Sequence, residues 1–259
     1  MATQFGAIAQ EPWFGKTLLG ASKDVSLATY SGYEILPVAP GDAERVLDFL
    51  RRFFFRDEPI NRAVELVPQD GSGTSLFLEA HCLSTLKQGL SLMAVESGTG
   101  GAAAGKIIGV SLNGDGKPGD ADLLAEEADL CLDPKFKRIL RLLETVERNA
   151  DVLGCFGVDR QFELRIISVD DSCRGRGIAT ALLQQSIDLA KRKGYPLFRV
   201  DCTSAFSAKA MERAGLDCVY SLSYEDYAEM EVKVYGERAV QPIKPEEPHT
   251  HIKCYALRI

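Results

Sequence analysis

The amino-acid sequence predicts an α+β protein with a mixed, mostly antiparallel central sheet that carries helices on both faces. The first observation is a pair of apolar segments, LSLMAVE (90–96) and KIIGVSLN (106–113), separated by a Gly/Ala-rich loop. This pattern is typical of an antiparallel hairpin. The second is a strand, a helix and a strand within residues 161–204, which indicates a right-handed crossover between parallel neighbours. Together they predict one mixed sheet.

The length of the chain favours a single folded domain. At 259 residues, with a hydrophobic fraction of 46%, it can bury one large core. We expect an irregular arm over residues 1–30 and one domain over residues 31–259, because no repeat or linker divides the chain. Within that domain, a helical insert is expected around 115–154, where DPKFKRILRLLETVERN has helical spacing of its apolar residues and Asp133 as N-cap.

The composition excludes several classes of function. A formal charge of -7 argues against nucleic-acid binding, which needs a basic face. No apolar segment is long enough for a membrane span and the N-terminus does not resemble a signal peptide, so we expect a cytoplasmic, monomeric protein. The seven cysteines are scattered singly and predict reduced thiols. His249-x-His251 lacks a third ligand, so no metal is expected.

The remaining elements follow from apolar spacing and from start and stop residues. YEILP (33–37) predicts a strand, and the helix after it has Asp42 as its expected N-cap. The inner face of this helix is expected to consist of Val46, Leu47, Leu50, Phe53 and Phe54. The other expected elements are helices over 76–88, 177–194 and 205–215, and strands over 216–227 and 251–259.

The segment RRFFFRDEPIN (51–61) places two carboxylates beside three phenylalanines. Asp57 and Glu58 could simply be the solvated end of the preceding amphipathic helix. Pro59 disfavours the α conformation at Glu58, so the helix should stop there and turn this carboxylate out of the helical register. The segment alone favours the structural interpretation.

The glycine-rich turn between a strand and a helix, SVDDSCRGRGIATALL (168–183), carries the most specific chemical signal. Small residues let the backbone bend sharply and leave the first N–H groups of the helix unpaired, which makes a pocket for an anion. Gly175 and Gly177 fit neither a Walker A loop, which needs a Lys-Ser/Thr pair, nor the dinucleotide fingerprint, which needs a third small position where Thr180 stands.

This turn resembles the R-x-x-G-x-A pyrophosphate loop of the GCN5-related N-acetyltransferases (GNAT), with Arg174, Gly177 and Ala179 at the defining positions. The resemblance covers residues 33 to 259 and implies the GNAT fold and acetyl-CoA as cosubstrate, without a metal. The residues it implies for coenzyme A binding are Ser168, Val169, Arg174, Gly175, Arg176, Gly177, Ile178, Ala179, Thr180 and Lys209. Lys209 is equally well explained as an exposed helical lysine.

Four segments in order, FFFRDEPIN, DPKFKRIL, ISVDDSCRGRGIA and CTSAFSAKAMERAGL, are similar to the insect arylalkylamine (dopamine-type) N-acetyltransferases. The resemblance implies acetyl transfer to the primary amine of a dopamine, tyramine or serotonin type of substrate. It places the general base at Glu58, whose aromatic and proline neighbours would raise its pKa. A main-chain N–H near Val169 is the expected oxyanion donor.

The same resemblance implies proton-relay roles for Thr203 and Ser207, although the first position is commonly serine in the family. Helix capping by Thr203 or Ser204 is a competing explanation. Because the amine attacks the thioester directly, no cysteine has to be a nucleophile, and Cys173 is interpreted as a packing residue. Asp57 is left between a local structural role and binding of the amine's charge.

Two other functions stay open at the level of sequence. One is acetyl transfer to a polyamine, agmatine or a protein amine. The other is a regulatory protein that binds coenzyme A without turnover. For the arylalkylamine interpretation, the expected partners are a small-molecule amine and acetyl-CoA, and neither nucleic acid nor a membrane is expected.

Overall fold

The computed structural model describes residues 28–70, 72–97, 105–235 and 242–259, and its centre is an eight-stranded sheet in the order β1-β2-β3-β4-β5-β6-β8-β7. Among these neighbours only β5 and β6 run parallel. The strands are β1 Ala28–Tyr30, β2 Tyr33–Pro37, β3 Leu92–Glu96, β4 Ile107–Gly116, β5 Gln161–Val169, β6 Leu197–Cys202, β7 Asp217–Ser223 and β8 His251–Arg258. The predicted mixed, mostly antiparallel sheet is confirmed.

Helices cover both faces of this sheet, as predicted. They are α1 Ala43–Phe53, α2 Pro59–Ala63, α3 Leu76–Leu86, α4 Asp120–Leu130, α5 Pro134–Ala150, α6 Val152–Phe156, α7 Ile178–Arg192, α8 Ala205–Arg213 and α9 Tyr224–Tyr235. One buried cluster joins α1, α3 and α5 to the sheet, and a second joins α7 and α8 to it. Burial of apolar area on both faces stabilises the sheet and fixes the positions of its strand ends.

Helix α1 forms where the apolar spacing predicts it, but its two ends differ from expectation. Val46, Leu47 and Leu50 are fully buried, whereas Phe53 and Phe54 are only half-buried. The helix ends at Phe53, before the position that Pro59 indicated. Asp42 precedes the helix without a capping hydrogen bond, because its carboxylate accepts from Ala39 N and pairs with Arg45 instead.

Helix α5 follows its sequence signals closely. The Asp133 carboxylate accepts hydrogen bonds from the N–H groups of Lys135 and Phe136 at 2.9 and 3.3 Å. Its apolar face is buried in the core cluster. Together with α4 and α6 it occupies residues 120–156, and β4 extends to Gly116, just past the start expected for the helical insert.

The strand expected over residues 216–227 is wrong in its second half. Strand β7 ends at Ser223, and α9 begins at Tyr224. The Ser223 hydroxyl accepts a hydrogen bond from Asp226 N at 3.0 Å and donates one to the Asp226 carboxylate, so the S-x-x-D signal at 223–226 was present in the sequence. The bulk of the expected arm (1–27) and most of the hairpin loop (98–104) lie outside the described residues.

Strands β5 and β6 stay together only over a short distance. Their parallel register contains Phe162↔Phe198, Glu163↔Arg199 and Leu164↔Val200. Beyond these pairs β5 continues to Val169 and β6 to Cys202 without pairing to each other. The sheet therefore opens between their carboxyl ends. In the part of the chain that the structure describes, no helix is both long and apolar enough to cross a membrane.

Candidate active site

A cavity of about 1860 Å³ lies where β5 and β6 part. Its walls include the unpaired end of β5, the end of β6, the segment after α1 and the first half of α8. Two groups of polar residues line it. We name the first the Glu58 group, consisting of Glu58, Asn61 and Thr203. We name the second the acidic group, consisting of Asp120, Glu147, Glu163 and Asp201 around Arg199.

Glu58 is held in the cavity wall by its own backbone position. It is the N-cap of α2, with an extended conformation that Pro59 favours, and its Oε2 accepts from Asn61 N at 2.6 Å. Oε1 is buried and has no hydrogen-bond partner among the described residues. Burial raises the pKa of Glu58, while the Asn61 N–H and the Thr203 hydroxyl oppose that rise. The carboxylate is therefore not a solvated helix end.

Thr203 and Ser207 differ in how freely their hydroxyls face the cavity. Ser204 is the N-cap of α8 and accepts from Ser207 N at 3.0 Å, so capping does not engage Thr203. The Thr203 carbonyl accepts a hydrogen bond from the Tyr224 hydroxyl at 2.7 Å. The Ser207 hydroxyl donates to the Ser204 carbonyl at 2.9 Å. Both Thr203 and Ser207 line the cavity, but Ser207 is also part of the helix start.

The glycine-rich turn has the geometry that an anion pocket requires. Gly175 and Gly177 have φ values of +78° and +74°, which side chains disfavour, and a Cβ built on either would meet nothing within 4 Å. In α7 the first helical bond is from Ala181 N to the Gly177 carbonyl, so the N–H groups of Ile178, Ala179 and Thr180 precede it. This space and these donors fit a pyrophosphate.

The other residues expected to bind coenzyme A are distributed around this turn. Ser168, Val169, Arg174, Ala179 and Thr180 line the cavity. The Ser168 hydroxyl donates to the Phe53 carbonyl at 3.1 Å and so ties the end of β5 to the end of α1. The structure thus brings five of the ten residues expected to bind coenzyme A to the same cavity as Glu58. The other five do not line it: Gly175, Arg176, Gly177, Ile178 and Lys209.

Three charged residues near the turn have other contacts. Arg174 pairs with Asp171 and lies 3.6 Å from Asp57, so Asp57 connects the phenylalanine-rich segment to the turn. Arg176 points away, with its guanidinium 6.0 Å from the Tyr33 ring centre. Lys209 is exposed on α8 and is not among the residues that line the cavity.

The acidic group surrounds a single buried guanidinium. Arg199 is 2% exposed and contacts Asp201 with two nitrogens, at 3.1 and 3.0 Å, and Glu147 at 2.5 Å. Burial raises the pKa of Glu147 to about 7, with Arg199 opposing the rise and Glu163 adding to it. Arg199 therefore serves Glu147 and Asp201, whereas Glu163 pairs with Arg165 at 2.9 Å.

Sequence reasoning did not single out two cavity residues and one residue that contacts Thr203. Asn61 and His249 line the cavity, and Tyr224 carries the hydroxyl that holds Thr203. His249 Nδ1 accepts from Ala205 N at 3.2 Å, so this ring is engaged with the start of α8 and not with a metal. Among the described residues no group of His, Cys, Asp and Glu could hold a metal ion. Of these three residues, only Asn61 belongs to a segment that the sequence analysis connected with catalysis, FFFRDEPIN.

The comparisons with known proteins agree with this geometry. The model of the acetyltransferase (GNAT) family matches residues 118–215. Mosquito arylalkylamine N-acetyltransferase like 5b is 30% identical, with 88% of this chain and 100% of that chain covered and a TM-score of 0.75. Arylalkylamine N-acetyltransferase 2 from Aedes aegypti is 32% identical, with 87% and 98% covered and a TM-score of 0.76. The chain belongs to the GNAT acetyltransferase family.

Membership in the GNAT family makes the protein an acetyltransferase that uses acetyl-CoA and an acceptor substrate. Within the family it is similar to the insect arylalkylamine N-acetyltransferases. The Drosophila melanogaster polyamine N-acetyltransferase, described as forming N-acetylagmatine, is 24% identical, with 88% of this chain and 100% of that chain covered and a TM-score of 0.73. At that identity the likeness shows a shared GNAT fold.

Proposed function

We propose that this GNAT enzyme transfers the acetyl group of acetyl-CoA to the primary amine of an arylalkylamine, with Glu58 as the general base. The observation that carries the proposal is the Glu58 carboxylate, which is buried at the cavity with a raised pKa and an unpartnered Oε1. An arylalkylamine has a pKa of about 10, so only about one molecule in a thousand is neutral at pH 7. A base that accepts its proton removes this deficit.

The proposed reaction needs no acyl-enzyme. Glu58 takes one proton from the ammonium group, and the neutral nitrogen then bonds to the thioester carbon. When the carbon–sulfur bond breaks, a second proton leaves the nitrogen and goes to the sulfur, so coenzyme A leaves as its thiol. Val169 lines the cavity at the end of β5, where a main-chain N–H would stabilise the oxyanion. Thr203, close enough to Glu58 to affect its pKa, would help the proton leave.

Aromatic side chains at the cavity support an aryl substrate. Phe53 and Phe54 line it just before Glu58, and Phe206 lines it from α8 although its side chain is 70% exposed. Phe206 also meets the His249 ring edge-to-face, with 5.3 Å between centroids. Offset and edge-to-face contacts with such rings favour an aromatic ligand over an aliphatic one.

A second candidate function is acetyl transfer to agmatine or a polyamine. The observation in its favour is the acidic group, in which the four carboxylates of Asp120, Glu147, Glu163 and Asp201 outnumber the guanidinium groups of Arg165 and Arg199 that pair with them. A substrate with a second positive charge would find complementary charge there. An arylalkylamine carries no such second charge.

A steady-state screen distinguishes these functions. Release of coenzyme A thiol is measured with tyramine, dopamine, serotonin, histamine and agmatine at pH 7 to 9. The proposal expects the highest kcat/KM with tyramine, dopamine or serotonin. A higher value with agmatine would replace it with the second candidate, and no turnover with any amine would leave a protein that only binds coenzyme A.

A further inference from the structure

Asn61 carries a buried amide group that the fold leaves unused. The residue is only 4% exposed and lines the cavity. Its side-chain Nδ2 has no hydrogen-bond partner among the described residues. A buried donor without a partner lowers stability, so such groups are rare in folded proteins. A donor of this kind at a cavity wall is explained when a ligand accepts its hydrogen bond.

The unused donor lies beside an unused acceptor. The main-chain N–H of Asn61 donates to Glu58 Oε2 at 2.6 Å, which ties the two residues together across the first turn of α2. Glu58 Oε1 and Asn61 Nδ2 are the two buried polar atoms of this turn that lack a partner. The first turn of α2 therefore carries one acceptor and one donor that lack a partner within the described part of the chain. A ligand that satisfies both has to bring a donor and an acceptor close together.

The amine alone satisfies only half of this arrangement. An ammonium group donates to Glu58 Oε1, but it has no lone pair to accept from Asn61 Nδ2. The acceptor has to be an oxygen held close to the amine nitrogen. A ring hydroxyl of an arylethylamine lies across the ring from the amine and is too far away. A β-hydroxyl, on the side-chain carbon that bears the ring, is attached to the carbon next to the one that carries the nitrogen, so its oxygen lies close to the amine. Water supplies the same oxygen when the substrate lacks that hydroxyl.

We propose that Asn61 binds the substrate by donating a hydrogen bond from Nδ2 to an oxygen acceptor next to the amine nitrogen. The oxygen belongs to the β-hydroxyl of a β-hydroxylated arylethylamine or, for amines without this group, to a bound water. This rests on the proposed function, because it takes Glu58 as the base for a small amine.

The test replaces Asn61 by leucine, which keeps the branching of the side chain and the main-chain N–H to Glu58. Wild type and variant are compared with tyramine and with octopamine, its β-hydroxylated counterpart. If the substrate hydroxyl is the acceptor, the ratio of kcat/KM for octopamine to that for tyramine falls roughly tenfold, the equivalent of one neutral hydrogen bond. If water is the acceptor, kcat/KM falls by a similar factor for both amines and the ratio is unchanged.

Asn113→Leu is the matched control. Asn113 is also fully buried, but its Nδ2 donates to the Leu90 carbonyl at 2.9 Å and lies 3.2 Å from the Ser186 hydroxyl, and it does not line the cavity. We expect a lower Tm and unchanged kcat/KM for this control. For Asn61→Leu we expect a Tm equal to or above that of the wild type, because an unpaired buried donor is removed.

Two results would overturn the inference while the proposed function stands. One is wild-type kinetics with both amines in Asn61→Leu and in the smaller Asn61→Ala. The other is a Tm loss in Asn61→Leu as large as that of Asn113→Leu, which would make the amide a structural group. If the wild-type enzyme acetylates none of tyramine, octopamine, dopamine and serotonin, the proposed function fails instead, and the kinetics of the wild type alone show this.

Discussion

Glu58 and Glu147 line the same cavity, and burial raises the pKa of both, yet their surroundings differ in one respect. Glu147 faces the guanidinium of Arg199, which opposes the rise. Glu58 is opposed only by main-chain N–H groups and the Thr203 hydroxyl. The guanidinium beside Glu147 stabilises the ionised form of that carboxylate, whereas only hydrogen bonds stabilise the ionised form of Glu58. The comparison separates a structural ion pair from a group suited to proton transfer.

The largest expected effect tests the Glu58 half of this comparison. In Glu58→Gln, kcat/KM at pH 7 should fall roughly 10²- to 10⁴-fold, because the base is lost while the shape is kept. The deficit should shrink as pH approaches about 9 to 10, where the free amine forms without help. A pH–rate comparison, with acetyl-CoA affinity measured by calorimetry as the control, checks this. A deficit that is independent of pH would indicate a role in amine binding instead.

The next effect tests the Glu147 half. The folded-state pKa of Glu147 is raised to about 7, above the ordinary value of about 4.3, so the folded protein binds more protons than the unfolded chain between these values. This group's contribution to stability is therefore lost as pH rises through that window. In Glu147→Gln, the decline in unfolding free energy from pH 5 to 8 should be smaller by up to about 3 kcal/mol. Parallel curves for wild type and variant in urea unfolding would place Glu147 at an ordinary pKa.

A third prediction concerns the anion pocket, which the comparison of the two carboxylates leaves aside. Gly177→Val should weaken acetyl-CoA binding about 10- to 100-fold, because the side chain fills the space next to the first N–H groups of α7. Gly157→Val is the matched control, since Gly157 has a similar φ of +64° and open space but lies after α6, outside the turn that precedes α7. Calorimetry that finds equal affinities in the two variants would attribute the effect to backbone strain.

The smallest effect separates Thr203 from its neighbour Ser204. Thr203→Val removes a hydroxyl that affects the pKa of Glu58, so kcat should fall severalfold, roughly the effect of one hydrogen bond, with little change in Tm. Ser204→Ala removes the N-cap of α8 and should cost about 1 kcal/mol of stability. Thermal unfolding and steady-state kinetics are measured on both variants. An unchanged kcat in Thr203→Val would limit this residue to packing.

Local patterns in the sequence predicted most of the elements and the chemical signals. Apolar spacing located α1 and α5, and the Asp133 cap is where the sequence indicated. The strand, helix and strand at β5, α7 and β6 form the predicted parallel crossover. These features depend on residues close together in the chain, which is why one sequence was enough. The resemblance to the GNAT family depends on the local pattern of Arg174, Gly177 and Ala179, and the comparisons confirm it.

Other predictions differ from the structure. Asp42 had the residue type of an N-cap, but Arg45, three residues further on, pairs with its carboxylate, so one local contact replaced another. Residues 224–227 have strand-like composition, yet α9 begins there because Tyr224 and Tyr227 pack into the core. Lys209 was expected to bind coenzyme A, but its side chain is exposed and does not line the cavity, so this role stays a prediction.

By itself the sequence determined the turn at Glu58, because Pro59 restricts the residue before it whatever surrounds the chain. It likewise determined the glycine-rich turn, which depends on the backbone freedom of Gly175 and Gly177. Only the tertiary structure decided that Oε1 of Glu58 is buried without a hydrogen-bond partner among the described residues and that Nδ2 of Asn61, on the same turn, is an unused donor. It also decided that Ser204, and not Thr203, caps α8. Burial and hydrogen-bond partners come from α1, α2, β6 and α9 packed together, and contacts between such distant segments leave no periodic trace in one sequence.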